Sequence, residues 1–333
     1  MGKNMFNRRI FWGSLLVGLF FGAQIAVAQE EGASEERVWT VAVMADLNGP
    51  YGSTEYNQFV HAAVEWLRDD LQPDAVVIAG DMVAGQQGGL DYRAMWRAFH
   101  EVVTDPLMEA GIPLAVTPGN HDASGATPFW EERVEYARQW ELRRLSLDFV
   151  DDRFYPFHYA FSVGPALFLS LDGTGVGPLD DRQLAWIEEI LEAHQHVNVS
   201  VLMSHVPQYA VAQGREREIF NDEGLAELMK RYDVDMKISG HHHAYYPGWR
   251  DGTYFLHASA LGSGVRMLID EERRRPRNVA IVRFNEQGII DVEARVAPDF
   301  EEVVDVENLP ESIGQGDLEI FRMDQAEQMD GSS

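Results

Sequence analysis

Five short apolar runs in this chain each stop abruptly at residues able to bind a metal or move a proton. Val38 to Met44 leads to Asp46 and Asn48, and Ala75 to Ala79 leads to Gly80-Asp81. Leu114 to Thr117 leads to Gly119-Asn120-His121-Asp122. Val199 to Ser204 leads to His205, and Met236 to Ser239 leads to Gly240-His241-His242-His243. Runs this short and this apolar read as buried strands. Segments with helical spacing separate them, at Tyr56 to Leu67, Arg93 to Val103, Pro128 to Arg144, Asp180 to about His194, and Asp222 to Arg231. A strand pair is expected at Tyr159 to Val163 and Ala166 to Leu171. Later strands are expected at Tyr254 to Ala258, Val279 to Phe284 and Ile289 to Ala294. Alternation first and strands afterwards predict an α/β layered domain with mixed sheets. Ligands of such folds gather beyond the carboxyl ends of the strands, where rigid strands fix the side chains at their tips.

Each motif has a bland explanation when taken singly. Gly80-Asp81 can make a turn and cap a helix, Gly119 to Asp122 can be a polar turn, and His205 can be a satisfied core histidine. Three adjacent imidazoles at His241 to His243 rarely serve packing. The set, in this order, points to a metal site built from strand tips.

Composition narrows the chemistry. The chain has 333 residues, 45% of them hydrophobic and 24% charged, enough for a sizeable core in one large or two medium domains. Its net charge is -27. That charge disfavours a dedicated nucleic-acid binder, and no nucleic-acid partner is expected, because that function needs clustered Lys and Arg. There are no cysteines, so any metal must be held by His, Asp, Glu, Asn or backbone oxygens.

The chain opens like an export signal. Lys3, Arg8 and Arg9 precede an apolar stretch from Ile10 to Ala23 that is short for a bilayer span. Ala26-Val27-Ala28 follows as a small-x-small cleavage pattern. Cleavage is expected after Ala28, with no stable membrane association afterwards and a periplasmic or secreted destination; an uncleaved membrane anchor is the alternative reading. Asn7-Arg8-Arg9-Ile10-Phe11 resembles a twin-arginine signal; a Sec leader is the alternative. The expected organisation is a signal peptide at 1–28, a polar linker at 29–37, one domain at 38–298 and an acidic tail at 299–333. Arg322 is that tail's only basic residue, so partial or complete disorder is expected there.

The ordered motifs Asp46-x-Asn48, Gly80-Asp81, Gly119-Asn120-His121-Asp122, His205 and Gly240-His241-x-His243 resemble the calcineurin-like metallophosphoesterases. The run Asp180-Asp181-Arg182-Gln183-Leu184-Ala185-Trp186 is also similar to a helix common in that family. The resemblance extends from about Val38 to about Phe284. It implies a four-layer α/β/β/α sandwich with mixed sheets and a dinuclear centre of divalent or trivalent ions, with Mn, Fe or Zn as candidates. It implies that Asp81 bridges the two metals. Asp46, His243 and Asn48 would serve the first metal, with Asn48 where the family usually has His. Asn120, His205 and His241 would serve the second. His121 would act on the phosphate or the leaving oxygen, and Asp122 would orient His121. The implied reaction is hydrolysis of a small phosphomonoester or phosphodiester by in-line attack of a metal-bridging hydroxide. Mixed N/O ligands and two cations suit that task. Purple acid phosphatases are related, but they carry a Tyr three residues after the Gly-Asp pair, where this chain has Ala84.

Asn48 is a weaker ligand than imidazole and leaves three options open: direct ligation, ligation through water, or orientation of Asp46. It also supports the main rival reading, a catalytically weak or inactive binding protein on the same fold. Hydrolysis of another bond, such as an amide, is a third reading. Three residues are candidates for substrate contact: Tyr51 in the tight loop after Asn48, His242 between two ligands, and Arg215 in the polar loop after His205. For Tyr51 and His242 the alternative is packing or turn formation, and for Arg215 it is a solvated surface charge.

Overall fold

The computed structural model describes residues 36–326, so the predicted leader lies outside the described residues. Among the described residues, fourteen strands form two sheets. Chain order gives β1 Trp39–Met44, β2 Ala75–Ile78, β3 Leu114–Val116, β4 Asp148–Phe154, β5 His158–Val163, β6 Ala166–Ser170 and β7 Val199–Ser204. It continues with β8 Met236–Ser239, β9 Tyr246–Arg250, β10 Thr253–His257, β11 Asn278–Phe284, β12 Ile289–Val296, β13 Ser312–Ile313 and β14 Ile320–Arg322. The first sheet runs β12-β11-β1-β2-β3, and the second β13-β14-β9-β10-β8-β7-β6-β5-β4. Both are mixed. β1, β2 and β3 are parallel to one another while β11 and β12 run antiparallel. In the second sheet β6, β7, β8 and β10 are parallel and the flanking strands antiparallel.

The helices are α1 Gln58–Trp66, α2 Tyr92–Phe99, α3 Asp105–Glu109, α4 Trp130–Leu142, α5 Asp181–Ala193 and α6 Glu223–Arg231. Asn57, Asp91, Asp180 and Asp222 cap four of them by accepting backbone N–H bonds, which satisfies otherwise orphaned donors. By contact, α2 packs with α4, and α5 with α6. The arrangement is the expected α/β/β/α sandwich. One continuous apolar core links Val41 to Met44, Val76 to Ile78, Leu167 to Leu169, Val201 to Met203 and Ile238. The central strands are buried on both faces, which is why they read as unbroken apolar runs rather than alternating ones. No helix among the described residues is long and apolar enough to cross a membrane.

The acidic C-terminal segment departs from expectation over 299–326. Phe300 is buried and stacks on Trp66 with ring centroids 4.6 Å apart. Ile313 and Ile320 are buried, and β14 pairs with β9, extending the second sheet. Arg322 donates to the carbonyls of Glu307 and Leu309 and pairs with Asp324. A few well-spaced apolar residues anchor a segment whose average composition reads as a solvated tail.

Candidate metal centre

The tips of β1, β2, β3, β7 and β8 converge. Two glycines permit the approach. A Cβ on Gly80 would lie 2.6 Å from His205 Nδ1, and one on Gly119 would lie 2.1 Å from the Asp81 amide nitrogen. Backbone bonds tie the tips together: Leu47 and Asn48 N–H donate to the Asp81 carbonyl, and Gly240 N–H donates to the His205 carbonyl. Asp46, Asp81, His241 and His243 all hold φ between 53° and 64°. Left-handed backbone is costly for such residues and is retained only where the surroundings impose it, often at functional sites.

The donors face a common region. One ligand atom each from Asp46, Asp81 and His243 lies within 4.8 Å of the others. Asp46 Oδ1 is buried and has no hydrogen-bond partner. His243 Nε2 is 3.0 Å from it, but the pair does not meet hydrogen-bond geometry. An orphaned buried carboxylate oxygen is expensive unless a cation completes it. His243 Nδ1 donates to the Gly264 carbonyl at 2.9 Å, which leaves the Nε2 lone pair free for a cation shared with Asp46.

A second cluster adjoins the first through Asp81. His205 Nδ1 lies 2.8 Å from the Ala79 carbonyl. When that nitrogen donates, Nε2 is left 3.0 Å from Asn120 Oδ1 and 3.3 Å from Asp81 Oδ2. Three electron-rich atoms therefore converge. Asn120 is oriented by donating through Nδ2 to Gln86 Oε1 at 3.1 Å. Burial lowers the His205 pKa, but the Asp81 charge and hydrogen bond, with Asp46, raise it to about 9. Burial likewise pushes the Asp81 pKa up, and the neighbouring His205 and His121 outweigh it, holding the group below the usual carboxylate range. The carboxylates that would favour a proton here would also favour a metal cation. His241 Nε2 donates to Glu218 Oε2 at 2.9 Å, leaving Nδ1 for a metal. The donor set of carboxylate, amide oxygen and imidazole thus fits metal binding, and Asp81 belongs to both clusters.

The remaining candidates separate. Asn48 is buried, and its Oδ1 accepts from Ser263 Oγ at 2.6 Å. That bond fixes the amide beside Asp46. His121 lines the cavity; its Nδ1 donates to the Gly85 carbonyl at 3.1 Å, and its Nε2 lies 4.0 Å from Asp81 Oδ2. The expectation that Asp122 orients His121 is not met. Asp122 is buried and instead accepts the Val83 N–H at 2.8 Å and the Gly119 N–H at 3.0 Å. Burial and the Asp81 charge raise its pKa to about 7. It braces the loop, and a backbone carbonyl orients His121. His242 does not face substrate either. It is buried, with Nε2 donating to the Glu218 carbonyl and Nδ1 accepting the Val211 N–H. Burial pushes its pKa well below the ordinary value. Alternate residues of this strained turn point to opposite sides, so His242 faces away from the cluster that His241 and His243 address.

Tyr51 and Arg215 do line a cavity of about 440 Å³ above the cluster, with Asp81, Asn120, His121 and His241. Tyr51 is 58% exposed, and its ring centroid is 5.4 Å from that of His121. Sequence reasoning missed Gln86, Glu218 and Arg266, which also line the cavity. Nothing in their local sequence sets them apart from other polar loop residues.

A sequence family described as calcineurin-like phosphoesterase matches residues 40–245, more than half of the 333 residues. The chain belongs to the calcineurin-like phosphoesterase family. Membership assigns it to the hydrolases that act on phosphoric esters. Mouse (Mus musculus) acid phosphatase type 7 is 24% identical over 270 residues, 68% of this chain and 57% of the mouse protein. The chain therefore spans little more than half of that curated relative. The purple acid phosphatase PPD1 of yellow lupin (Lupinus luteus) seeds superposes with a TM-score of 0.61 at 20% identity, covering 80% of this chain and 53% of the lupin chain. A dimetal phosphatase from Danio rerio gives 0.53 at 15% identity, covering 78% of this chain and 95% of the fish protein. These two likenesses establish the fold. Ala84 is buried beside the loop of this calcineurin-like phosphoesterase site and offers no phenolate.

Proposed function

We propose that the protein is an exported phosphoesterase using two metal ions, of which Mn, Fe and Zn are candidates, to hydrolyse a small phosphomonoester or phosphodiester. The observation that carries this reading is the convergence of Asp46, Asp81 and His243 ligand atoms within 4.8 Å at a cavity of about 440 Å³. That volume suits a small molecule. Asp46, His243 and Asn48 would hold one ion; Asn120, His205 and His241 the other; and Asp81 both. Bound metals would offset the phosphate charge and acidify a nucleophilic water. The chain's own part is positioning. Backbone carbonyls of Ala79 and Gly264 fix the tautomers of His205 and His243. The Gly85 carbonyl holds His121 with its Nε2 4.0 Å from Asp81 Oδ2, where the imidazolium form would donate a proton to a phosphoryl or leaving-group oxygen. Export rests on the N-terminal sequence pattern alone.

Chelation should abolish turnover of 4-nitrophenyl phosphate, and added Mn, Fe or Zn should restore it. Turnover that survives exhaustive chelation would refute the metal-dependent reading. N-terminal sequencing of the mature protein should begin at Gln29 in an extracytoplasmic fraction. An intact leader on a cytoplasmic protein would end the export proposal.

A further inference from the structure

Two arginines stand together on the cavity in a chain of net charge -27. The loop carrying Arg215 and the loop carrying Arg266 are joined as a short antiparallel ribbon. Ala212 pairs with Leu268, Gln213 N–H donates to the Met267 carbonyl at 3.0 Å, and Ile269 N–H donates to the Val211 carbonyl at 2.9 Å. Beyond the ribbon the chain turns, with the Arg215 N–H donating to the Ala212 carbonyl at 3.1 Å, and both arginines line the same cavity. Arg266 is tied to the metal-ligand turn as well. Its N–H donates to the His243 carbonyl at 3.1 Å, and its Nη1 donates to the His241 carbonyl at 2.6 Å. The guanidinium is thus anchored by one of its five N–H groups.

The charges around the pair are uneven. Arg215 pairs with Glu218, whose other oxygen accepts from His241. Arg266 makes no hydrogen bond or ion pair with a carboxylate among the described residues. Asp46 and Asp81 are its nearby anions, besides Glu218, and both belong to the candidate metal centre. Like charges are normally kept apart. Holding Arg266 near Arg215 costs electrostatic energy that an incoming anion would offset. A phosphoryl group over the metal ligands would already have the bound cations and His121 to serve it. Elsewhere the lining is neutral: Tyr51, Thr174 and Val176, the last 59% exposed.

We propose that Arg266, supported by Arg215, recognises a second anionic group on the substrate, so that the preferred substrate is a small phosphoester bearing a further carboxylate or phosphate. This rests on the phosphoesterase reading. The neutral surface at Tyr51 and Val176 takes the organic part of the molecule.

The test compares probes that differ only in the second charge. With metal-loaded protein, 4-carboxyphenyl phosphate should have a lower KM than phenyl phosphate. Arg266→Gln should raise KM for the carboxylated probe about 10-fold more than for phenyl phosphate, over and above any loss the two probes share through the altered contact with the His241 carbonyl. Arg215→Gln should narrow the preference less, and the exposed Arg217→Gln should not change it. Equal losses on both probes would assign Arg266 to the scissile phosphoryl group and overturn the proposal, as would no loss on either. Calorimetric binding of 3-phosphonopropionate against propylphosphonate gives a readout independent of turnover. Wild-type protein should prefer the former, and Arg266→Gln should erase the preference. If no metal supports hydrolysis but that preference is present and lost in Arg266→Gln, the phosphoesterase reading fails while the anion site stands. If wild-type protein binds both phosphonates equally, the anion site fails.

Discussion

Asp81 is the residue on which the two candidate metal positions depend, because one oxygen lies 3.3 Å from His205 Nε2 while the carboxylate also joins the Asp46 and His243 group. Asp81→Asn keeps the shape and removes the charge. It should lower kcat at least about 1000-fold and release one metal, measured by turnover and elemental content on the same sample. Retention of both metals with full turnover would contradict the shared role. His242→Gln, by contrast, should leave KM within about 2-fold, because His242 serves the turn from behind; a KM rise of about 10-fold at unchanged stability would return it to the substrate side. Most of this centre is legible in the sequence because strand tips announce themselves: an apolar run ends and a Gly, Asp, Asn or His follows. What is not legible is partnership. The choice of Gly85 rather than Asp122 as the partner of His121 depends on loop geometry. Glu218 and Arg266 reach the site from polar loops far along the chain, and only folding brings them there.

The elements were readable in proportion to their burial. The parallel strands β1, β2, β3, β7 and β8 are buried throughout or nearly so, and nothing else explains such apolar runs. β4 is an acidic edge strand with register shifts against β5; its charges guard an open edge and hide it from apolar patterning. β9 contains Pro247 and Gly248 yet lies between β14 and β10, and two turn-forming residues argue against a strand. β14 and its neighbours were masked by the acidity of the segment. Its attachment is testable. Ile320 is fully buried, so Ile320→Ala should cost about 2–5 kcal/mol of unfolding free energy, read by urea titration. A change below about 0.5 kcal/mol would mean that the C-terminal segment is not part of the core.

The whole molecule couples its acidity to pH through groups well away from the candidate centre. His100 is buried among Trp96, Phe99 and Trp140, with ring centroids 5.6 to 5.7 Å away. Burial, then the Arg143 charge, lowers its pKa to about 4. An unfolded histidine titrates near about 6.5. As pH falls below that value, the unfolded chain takes up a proton that the folded chain refuses, so stability is lost down to about pH 4. The slope from this group is about 1.4 kcal/mol per pH unit. Urea titrations at about pH 7 and pH 5 should therefore show less pH dependence in His100→Gln than in the wild type; an unchanged difference would contradict a neutral buried His100. The acidic surface itself favours solubility and disfavours long polyanions, which agrees with a cavity sized for small molecules. The most direct measurement is metal content per chain on protein from its native compartment, with hydrolysis of 4-nitrophenyl phosphate and bis(4-nitrophenyl) phosphate on the same sample. About two metals per chain and metal-dependent turnover of at least one ester are expected. One metal or none, with no turnover after Mn, Fe or Zn is added, would contradict it and leave a binding protein on a phosphoesterase fold.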